Sequence, residues 1–332
     1  MATRIAVDAM GGDHAPDSVV EGVVRAVKES GGRLRVLLVG KERELLDRYD
    51  VLSTDLPIEI VDAPQVIGMD DAPAVAVKRK AESSIHVGLA AHGSGRADAF
   101  VSAGNTGAVM AASLFILGRL RSVQRPTLIG YYPTVRGMCI VLDVGANVDC
   151  KPDQLLQFAE MGSVYAQRVL QRGDPTVALL NIGEEPGKGN ELCKEAYPLL
   201  EKSRSVRFVG NIEGRDIMQH AADVVVCDGF VGNIILKLGE SVATVLPRLI
   251  SDEMRRQEIG ERDQHMIARV VGGVRSAFDY EEYGGTPLLG INGTVMIGHG
   301  GSSPRAIRQL VLAAARMAEA NVSESIAEAL AT

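Results

Sequence analysis

Tryptophan is absent from this chain of 332 residues, aromatic residues make up only 4% of it, and cysteine occurs four times. Cys139, Cys150, Cys193 and Cys227 are scattered and form no C-x-x-C pair. That spacing excludes a zinc ribbon and a disulfide framework and fits reduced thiols in a cytoplasmic protein. Long apolar runs are missing too. "AVMAASLFILG" from Ala108 falls well short of the roughly 20 residues that cross a bilayer. The N-terminal "MATRIAVDAMGGD" is too short in apolar sequence for a signal peptide, so the expectation is a chain with no membrane-crossing segment. No G-x-G-x-x-G follows a predicted strand, and neither H-E-x-x-H nor G-x-S-x-G occurs. A dinucleotide site, a metalloprotease and a serine hydrolase thereby lose their usual signatures, and no metal or other cofactor is expected. The net charge of −7 argues against a general nucleic-acid binder.

Glycine, in contrast, is plentiful, with 36 residues. "LLNIGEEPGKGNEL", from Leu179 to Leu192, shows its use. A P-loop needs four spacers before its second glycine and a hydroxyl after its lysine; this loop has one spacer too few and Gly189 in place of the hydroxyl. Flexible amides, Lys188 and the start of a helix remain, and these suit a smaller anion such as phosphate. A plain surface loop is the competing reading.

The same arrangement recurs. Short β-branched runs end in Gly, Asn, Asp or Ser and give way to helical periodicity in five places, with turns at Gly11-Gly12, Gly104-Asn105-Thr106, Gly145-Ala146-Asn147, Gly183–Gly189 and Asp228–Asn233. Apolar strands alternating with helices predict an α/β fold, a mainly parallel sheet with helices on both faces. Ligands in such sheets bind beyond the carboxyl ends of the strands, so the five loops are expected to converge on one side as an anion site.

The segments "AVDAMGGDHAP", "VSAGNTGA", "LDVGANVDCKP", "NIGEEPGKGNEL", "GNIEGRDI", "VVCDGFVGN" and "YGGTPLLGINGTV" together resemble the bacterial phosphate acyltransferases of phospholipid synthesis, in order from Ile5 to about Arg308. The resemblance implies transfer of a long-chain fatty acyl group from acyl-carrier protein to inorganic phosphate, giving acyl phosphate for the downstream glycerol-3-phosphate acyltransferase. It implies a fold similar to isocitrate and isopropylmalate dehydrogenases and to phosphotransacetylase. It further implies a homodimer, peripherally associated with the membrane from the cytoplasmic side. Two positions depart from the family's pattern: "GHGGSSPRAI" has an extra glycine after His299-Gly300, and Glu82 stands where aspartate is common. The alternatives are a phosphotransacetylase-like enzyme using acyl-CoA and a non-catalytic phosphate- or acyl-phosphate-binding regulator.

Phosphate is already a nucleophile near neutral pH, so positioning and electrostatics can supply most of the acceleration. Lys188, with the backbone around Gly187, Gly189 and Asn190, is the candidate for holding it. Asn233 is expected to donate to phosphate or to the oxyanion, with helix capping as the rival role. His14 is a candidate for protonating the departing thiol, with a packed or turn-stabilising histidine as the alternative. Gly11, Gly12, Asn105, Thr106, Asn147 and Gly232 complete the expected substrate-binding set. Asp8, Asp143 and Asp228 would repel phosphate, and are expected to orient Lys188 or His14 instead.

Residues 1–332 are expected to form one two-lobed catalytic unit, with a helical hairpin over 234–278 turning near Gly260. Leu238, Val242, Val245, Leu249 and Ile250 form one apolar stripe, and Ile267, Val271, Val274 and Phe278 form another. Packing in a core or dimer is one reading of these stripes. The other is a protruding tip that meets lipid through Leu249 and Ile250, and the acidic carrier protein or anionic headgroups through Arg255, Arg256, Arg262 and Arg269.

Overall fold

Neighbouring residues along each strand bury on opposite sides. Ile5 and Val7 join one apolar cluster and Ala6 the other; Ile140 and Leu142 oppose Cys139 and Val141; Val224 and Val226 oppose Val225. Strands apolar on both faces require cover on both. The computed structural model describes residues 2–50, 55–277 and 283–331. Its strands are β1 (Thr3–Asp8), β2 (Leu34–Gly40), β3 (Ile58–Asp62), β4 (Ala99–Ser102), β5 (Thr127–Thr134) and β6 (Gly137–Leu142). They continue with β7 (Thr176–Leu180), β8 (Arg207–Ile212), β9 (Val224–Val226), β10 (Thr286–Leu289) and β11 (Val295–Ile297). The helices begin with α1 (Asp17–Glu29), α2 (Glu42–Arg48), α3 (Pro73–Arg79), α4 (Ser84–Gly93) and α5 (Thr106–Ile116). After these come α6 (Pro152–Arg168), α7 (Glu191–Lys202), α8 (Gly229–Arg256), α9 (Glu261–Ala277), α10 (Pro304–Glu319) and α11 (Val322–Ala329).

One sheet carries all eleven strands in the order β3-β2-β1-β4-β11-β10-β5-β6-β9-β7-β8. Helices α1, α6, α7, α10 and α11 cover one face, and α3, α4, α5 and the start of α8 the other. Pairing is parallel from β3 to β11 and again from β6 to β8, and antiparallel at β11–β10, β10–β5 and β5–β6. The middle strands therefore reverse the sense of the sheet, and the two parallel halves run in opposite directions. The five loops expected on one side therefore leave opposite ends of the sheet, yet those after β1, β4, β6 and β9 all reach one cavity, which the Lys188 loop does not line. Loops after β1 and β4 lie at one end of the sheet, and loops after β6, β7 and β9 at the other, because the carboxyl-end rule applies to each half separately.

Helix α8 is seated by glycine. A Cβ on Gly232 would lie 1.8 Å from the Asp143 carbonyl oxygen, and one on Gly229 would lie 2.6 Å from that of Asn147. The Gly229 N–H donates to that Asn147 carbonyl at 2.8 Å, and Asp228 caps the helix by accepting from the Val231 N–H at 2.8 Å. Beyond this seat α8 leaves the sheet. Its 28 residues are long and apolar enough, by length and composition, to cross a membrane, and most of that stretch is exposed. Lys237 and Glu240 break this stretch into shorter apolar runs, which is why the sequence shows no long one. Helix α9 follows after Gln257–Gly260, and Phe278, the last residue of the expected stripe, lies outside the described residues.

Across the first half, His92 ties α4 to the start of β11. Its Nε2 accepts the Thr294 N–H at 2.9 Å, so its Nδ1 carries the proton and donates to the Ala97 carbonyl at 3.0 Å. Gly293, at φ 140°, makes room; a Cβ there would lie 2.2 Å from His92 Nε2. Burial holds the His92 pKa below its ordinary 6.5, against the opposing pull of the Ala97 carbonyl, Asp98 and Glu324.

Two predictions follow from these contacts. Gly232→Ala should destabilise the fold by about 3 kcal/mol, the upper end of overpacking, because the obstructing atom is backbone; denaturant unfolding measures it. For His92 the unfolded chain takes up a proton first as pH falls below 6.5, so native stability declines with acidification. Between about pH 7.5 and about pH 5.5, wild-type melting should fall more steeply than that of His92→Gln, and equal slopes would remove His92 as the cause.

Candidate active site

Asp143 ends β6 fully buried and accepts hydrogen bonds from the N–H groups of Gly145 at 3.1 Å, Ala146 at 3.0 Å and Asn147 at 2.7 Å. The Leu128 N–H adds a fourth at 3.3 Å and Asn147 Nδ2 a fifth at 2.7 Å. Burial raises its pKa and these donors pull against that rise. In the other half Asp8 is also buried; Ser102 Oγ donates to it at 2.6 Å and the Met10 N–H at 3.0 Å, joining the loops after β1 and β4. Burial raises its pKa as well. With Asp228 capping α8, all three aspartates shape backbone. This corrects the expectation that they orient Lys188 or His14, since buried carboxylates gather the nearest amides.

Between the halves lies a cavity of about 480 Å³, within the range of small-molecule sites, about 300–1,000 Å³. It follows β5 from Leu128 to Pro133, a span of roughly 17 Å at strand rise. Leu128, Tyr131, Tyr132, Val144 and Leu236 give it an apolar wall, and Thr106, Asp13, His299 and Asn233 add polar groups from both halves. Asn233 is the fifth residue of α8, beyond the capping position, which removes its rival role. Its side chain is exposed, packs over Gly145 and makes no hydrogen bond among the described residues. Thr106 opens α5.

The other expected residues take different places. The Asn105 side chain accepts the Ala108 N–H at 3.0 Å and donates to the carbonyls of Gly68, Met69 and Asp71, so it caps α5 and holds the 68–71 loop rather than facing ligand. Asn147 is held by Asp143 and donates to the Pro126 carbonyl at 2.7 Å. Asn190 caps α7 through the Cys193 N–H at 2.9 Å. Gly232 lies beneath α8, and Gly11 against Asp8, where a Cβ would lie 2.4 Å from Oδ2. Gly12, at φ 110°, approaches the Gly300 carbonyl, which accepts the Asp13 N–H at 2.8 Å. The His299 loop, with its extra glycine, is thus fastened to the Gly12 loop. His14 is exposed, as is Lys188; neither lines the cavity. The Lys188 loop is pinned from within: Asn181 Nδ2 donates to the Lys188 carbonyl at 3.1 Å and Asn211 Nδ2 to that of Glu185 at 2.9 Å. Gly187 is open, while Gly189, at φ 92°, packs on Asn181.

On the hairpin, Leu249 is exposed and Ile250 half-buried. Arg255 pairs with Asp252 and Arg256 with Glu253 on their own helix, whereas Arg262 and Arg269 are exposed on α9. Exposed pairs of this kind are worth little and exchange readily. Among the described residues no group of three or more His, Cys, Asp or Glu is placed to hold a metal. Sequence reasoning missed the cavity wall on β5, where Tyr131 and Tyr132 belong to no recognisable motif.

A family model described as "Fatty acid synthesis protein" matches residues 3–325. A "Phosphate acyltransferase" of Salinibacter ruber is 54% identical over 333 residues, covering 99% of this chain and 98% of the relative. One of Chlorobaculum parvum is 48% identical over 337 residues, covering 98% of each. Among solved structures, the EutD phosphotransacetylase from Staphylococcus aureus superposes with a TM-score of 0.60 at 17% identity, over 96% of this chain and 94% of that one. A 4-hydroxythreonine-4-phosphate dehydrogenase from Klebsiella pneumoniae gives a TM-score of 0.52 at 13% identity, over 96% and 98%. The structural likenesses establish shared fold; the sequence identity, nearly end to end, establishes kinship, and the chain belongs to the phosphate acyltransferase family.

Proposed function

We propose that this chain transfers a fatty acyl group from acyl-carrier protein to inorganic phosphate, releasing an acyl phosphate for phospholipid synthesis. The observation that carries this reading is the cavity along β5, whose apolar wall suits an acyl chain and whose polar groups include the unengaged amide of Asn233. A phosphate oxygen attacks the thioester carbonyl carbon, the carbonyl oxygen becomes an oxyanion, and the carbon–sulfur bond breaks to release a thiolate that takes a proton. Lys188, with the backbone of Gly187, Gly189 and Asn190, holds phosphate; Asn233 donates to the oxyanion; His14, on the loop formed by Gly11 and Gly12, supplies the proton. Thr106 is a further donor. Asn105, Asn147 and Gly232 act through the positions they impose on backbone.

We read residues 1–332 as one two-lobed unit working as a homodimer, on a fold similar to the isocitrate and isopropylmalate dehydrogenases. Supporting the dimer, Ile182 beside the Lys188 loop is 81% exposed, and Phe230, Ile234 and Leu238 on α8 are 59%, 52% and 62% exposed. Lys188 and His14 lie outside a single chain's cavity lining, and a second copy supplies what that lining lacks. The hairpin of α8 and α9 is read as the contact for carrier protein or an anionic membrane surface, and the protein as cytoplasmic. Attachment is peripheral, because α8 begins in a seat on the sheet and its early turns line the cavity.

Acyl phosphate formation from palmitoyl-carrier protein and phosphate tests this. Lys188→Ala and Asn233→Ala should each lower turnover by about two to three orders of magnitude in a folded protein, and His14→Ala by about two. Co-expressed Lys188→Ala and Asn233→Ala chains should regain part of the activity, since mixed dimers contain one intact site. Wild-type turnover in a single variant would remove that residue from the mechanism. Faster reaction with palmitoyl-CoA than with the carrier protein would sink the carrier-specific reading.

A further inference from the structure

Gly232 and Gly239 stand seven residues apart on α8 and share the face turned toward the sheet. Their surroundings differ. At Gly232 a Cβ would strike backbone at 1.8 Å, whereas at Gly239 the nearest heavy atom is Cε1 of Tyr132, 3.5 Å away, an ordinary contact. Gly239 has ordinary helical backbone, with no positive φ to require glycine. Glycine is among the poorest residues inside a helix, and here neither close packing nor conformation calls for it. What the missing side chain leaves is room for one carbon on the Tyr132 side, with no other heavy atom within 4 Å of the Cβ position outside the neighbouring residues and the helix's own backbone. The wedge between α8 and β5 is part of the cavity, lined by Gly239, Leu236, Gly130 and Tyr132 together with Lys237 and Glu240.

The wedge suits an apolar occupant. Tyr132 is only 5% exposed, and its hydroxyl finds no hydrogen-bond partner among the described residues. Burial pushes its phenol pKa far up, so the ring stays neutral. Asn233 lies six residues before Gly239, about 9 Å along the helix axis, so an acyl group whose carbonyl is held near Asn233 can extend along α8 into the wedge.

We propose that Gly239 is a specificity residue for the acyl chain: the cavity it lines beside Tyr132 admits the distal methylenes of a long-chain donor, an assignment that rests on the acyl-transfer reading above. A larger side chain at 239 fills the wedge from the helix side and shortens the chain that fits. Its effect falls on the far end of the acyl group and leaves the reacting carbonyl alone.

The test compares wild type with Gly239→Leu, using palmitoyl- and octanoyl-carrier protein as donors and palmitate and octanoate as calorimetric probes. The palmitoyl-to-octanoyl ratio of kcat/KM, and the same ratio of binding constants, should fall about tenfold or more, the scale on which apolar pockets discriminate methylenes. Melting temperature should hold or rise, because leucine is the better helix former. Should the leucine variant fail to fold, Gly239→Ala is read instead, with a shift of about threefold in the same direction. Unchanged ratios, or equal loss for both chain lengths, overturn the assignment. Probe binding that shifts as expected in a protein forming no acyl phosphate from either donor would support the pocket and defeat the acyl-transfer reading.

Discussion

The buried carboxylate of Asp143 is the point from which the site is built. A fully buried carboxylate must find donors, and the amides of residues 145 to 147 and of Leu128 are the groups in reach. Gathering them fixes the turn after β6. That turn presents the Asn147 carbonyl to the Gly229 N–H and the Asp143 backbone to Gly232. The start of α8 is seated on this turn, and from that seat the helix direction, the place of Asn233 and the slope of the cavity wall all follow. A change at Asp143 would therefore reach the cavity without any contact to a ligand.

Asp8 performs the matching task in the other half, through Ser102 and the amide of Met10. Both aspartates end strands and both hold loops. Acidic residues at strand ends look out of place beside the phosphate site proposed above until their oxygens are accounted for: they face inward to amides, and the charged and polar side chains lining the cavity include those of Asp13, Thr106, Asn233, Lys237, Glu240 and His299. Structure and chemistry are thus divided among neighbouring residues of one loop, as with Asp228, which caps α8, and Asn233, which lines the cavity.

The reversal of strand direction at β10, β5 and β6 gives the cavity its character. In a wholly parallel sheet the loops would crowd one edge. Here they sit at both ends, and the cavity runs the length of β5 between them, which makes it elongated and lets one wall be apolar. Phosphotransacetylases share this fold at 16–17% identity, so the architecture tolerates nearly complete replacement of side chains.

Local chemistry was legible in the sequence because it depends on near neighbours. Apolar strands alternating with helical periodicity announced an α/β sheet covered on both faces; Pro16-Asp17, Asn105 and Pro152 marked helix starts that the structure has within a residue or two. Membership of the family was legible for the same reason, being carried by short runs in order. Tertiary structure decided the rest. Strand sense depends on which edges meet across hundreds of residues, and no local pattern encodes it, so only the structure shows loops that leave opposite ends of the sheet while four of the five reach one cavity. The roles of Asn105, Asn147 and the aspartates turned on hydrogen-bond partners distant in sequence or hidden in a turn. Gly232 and Gly239 are the same letter on the same helix face, and only the distance to what lies opposite, backbone at 1.8 Å in one case and a single ring carbon at 3.5 Å in the other, tells them apart.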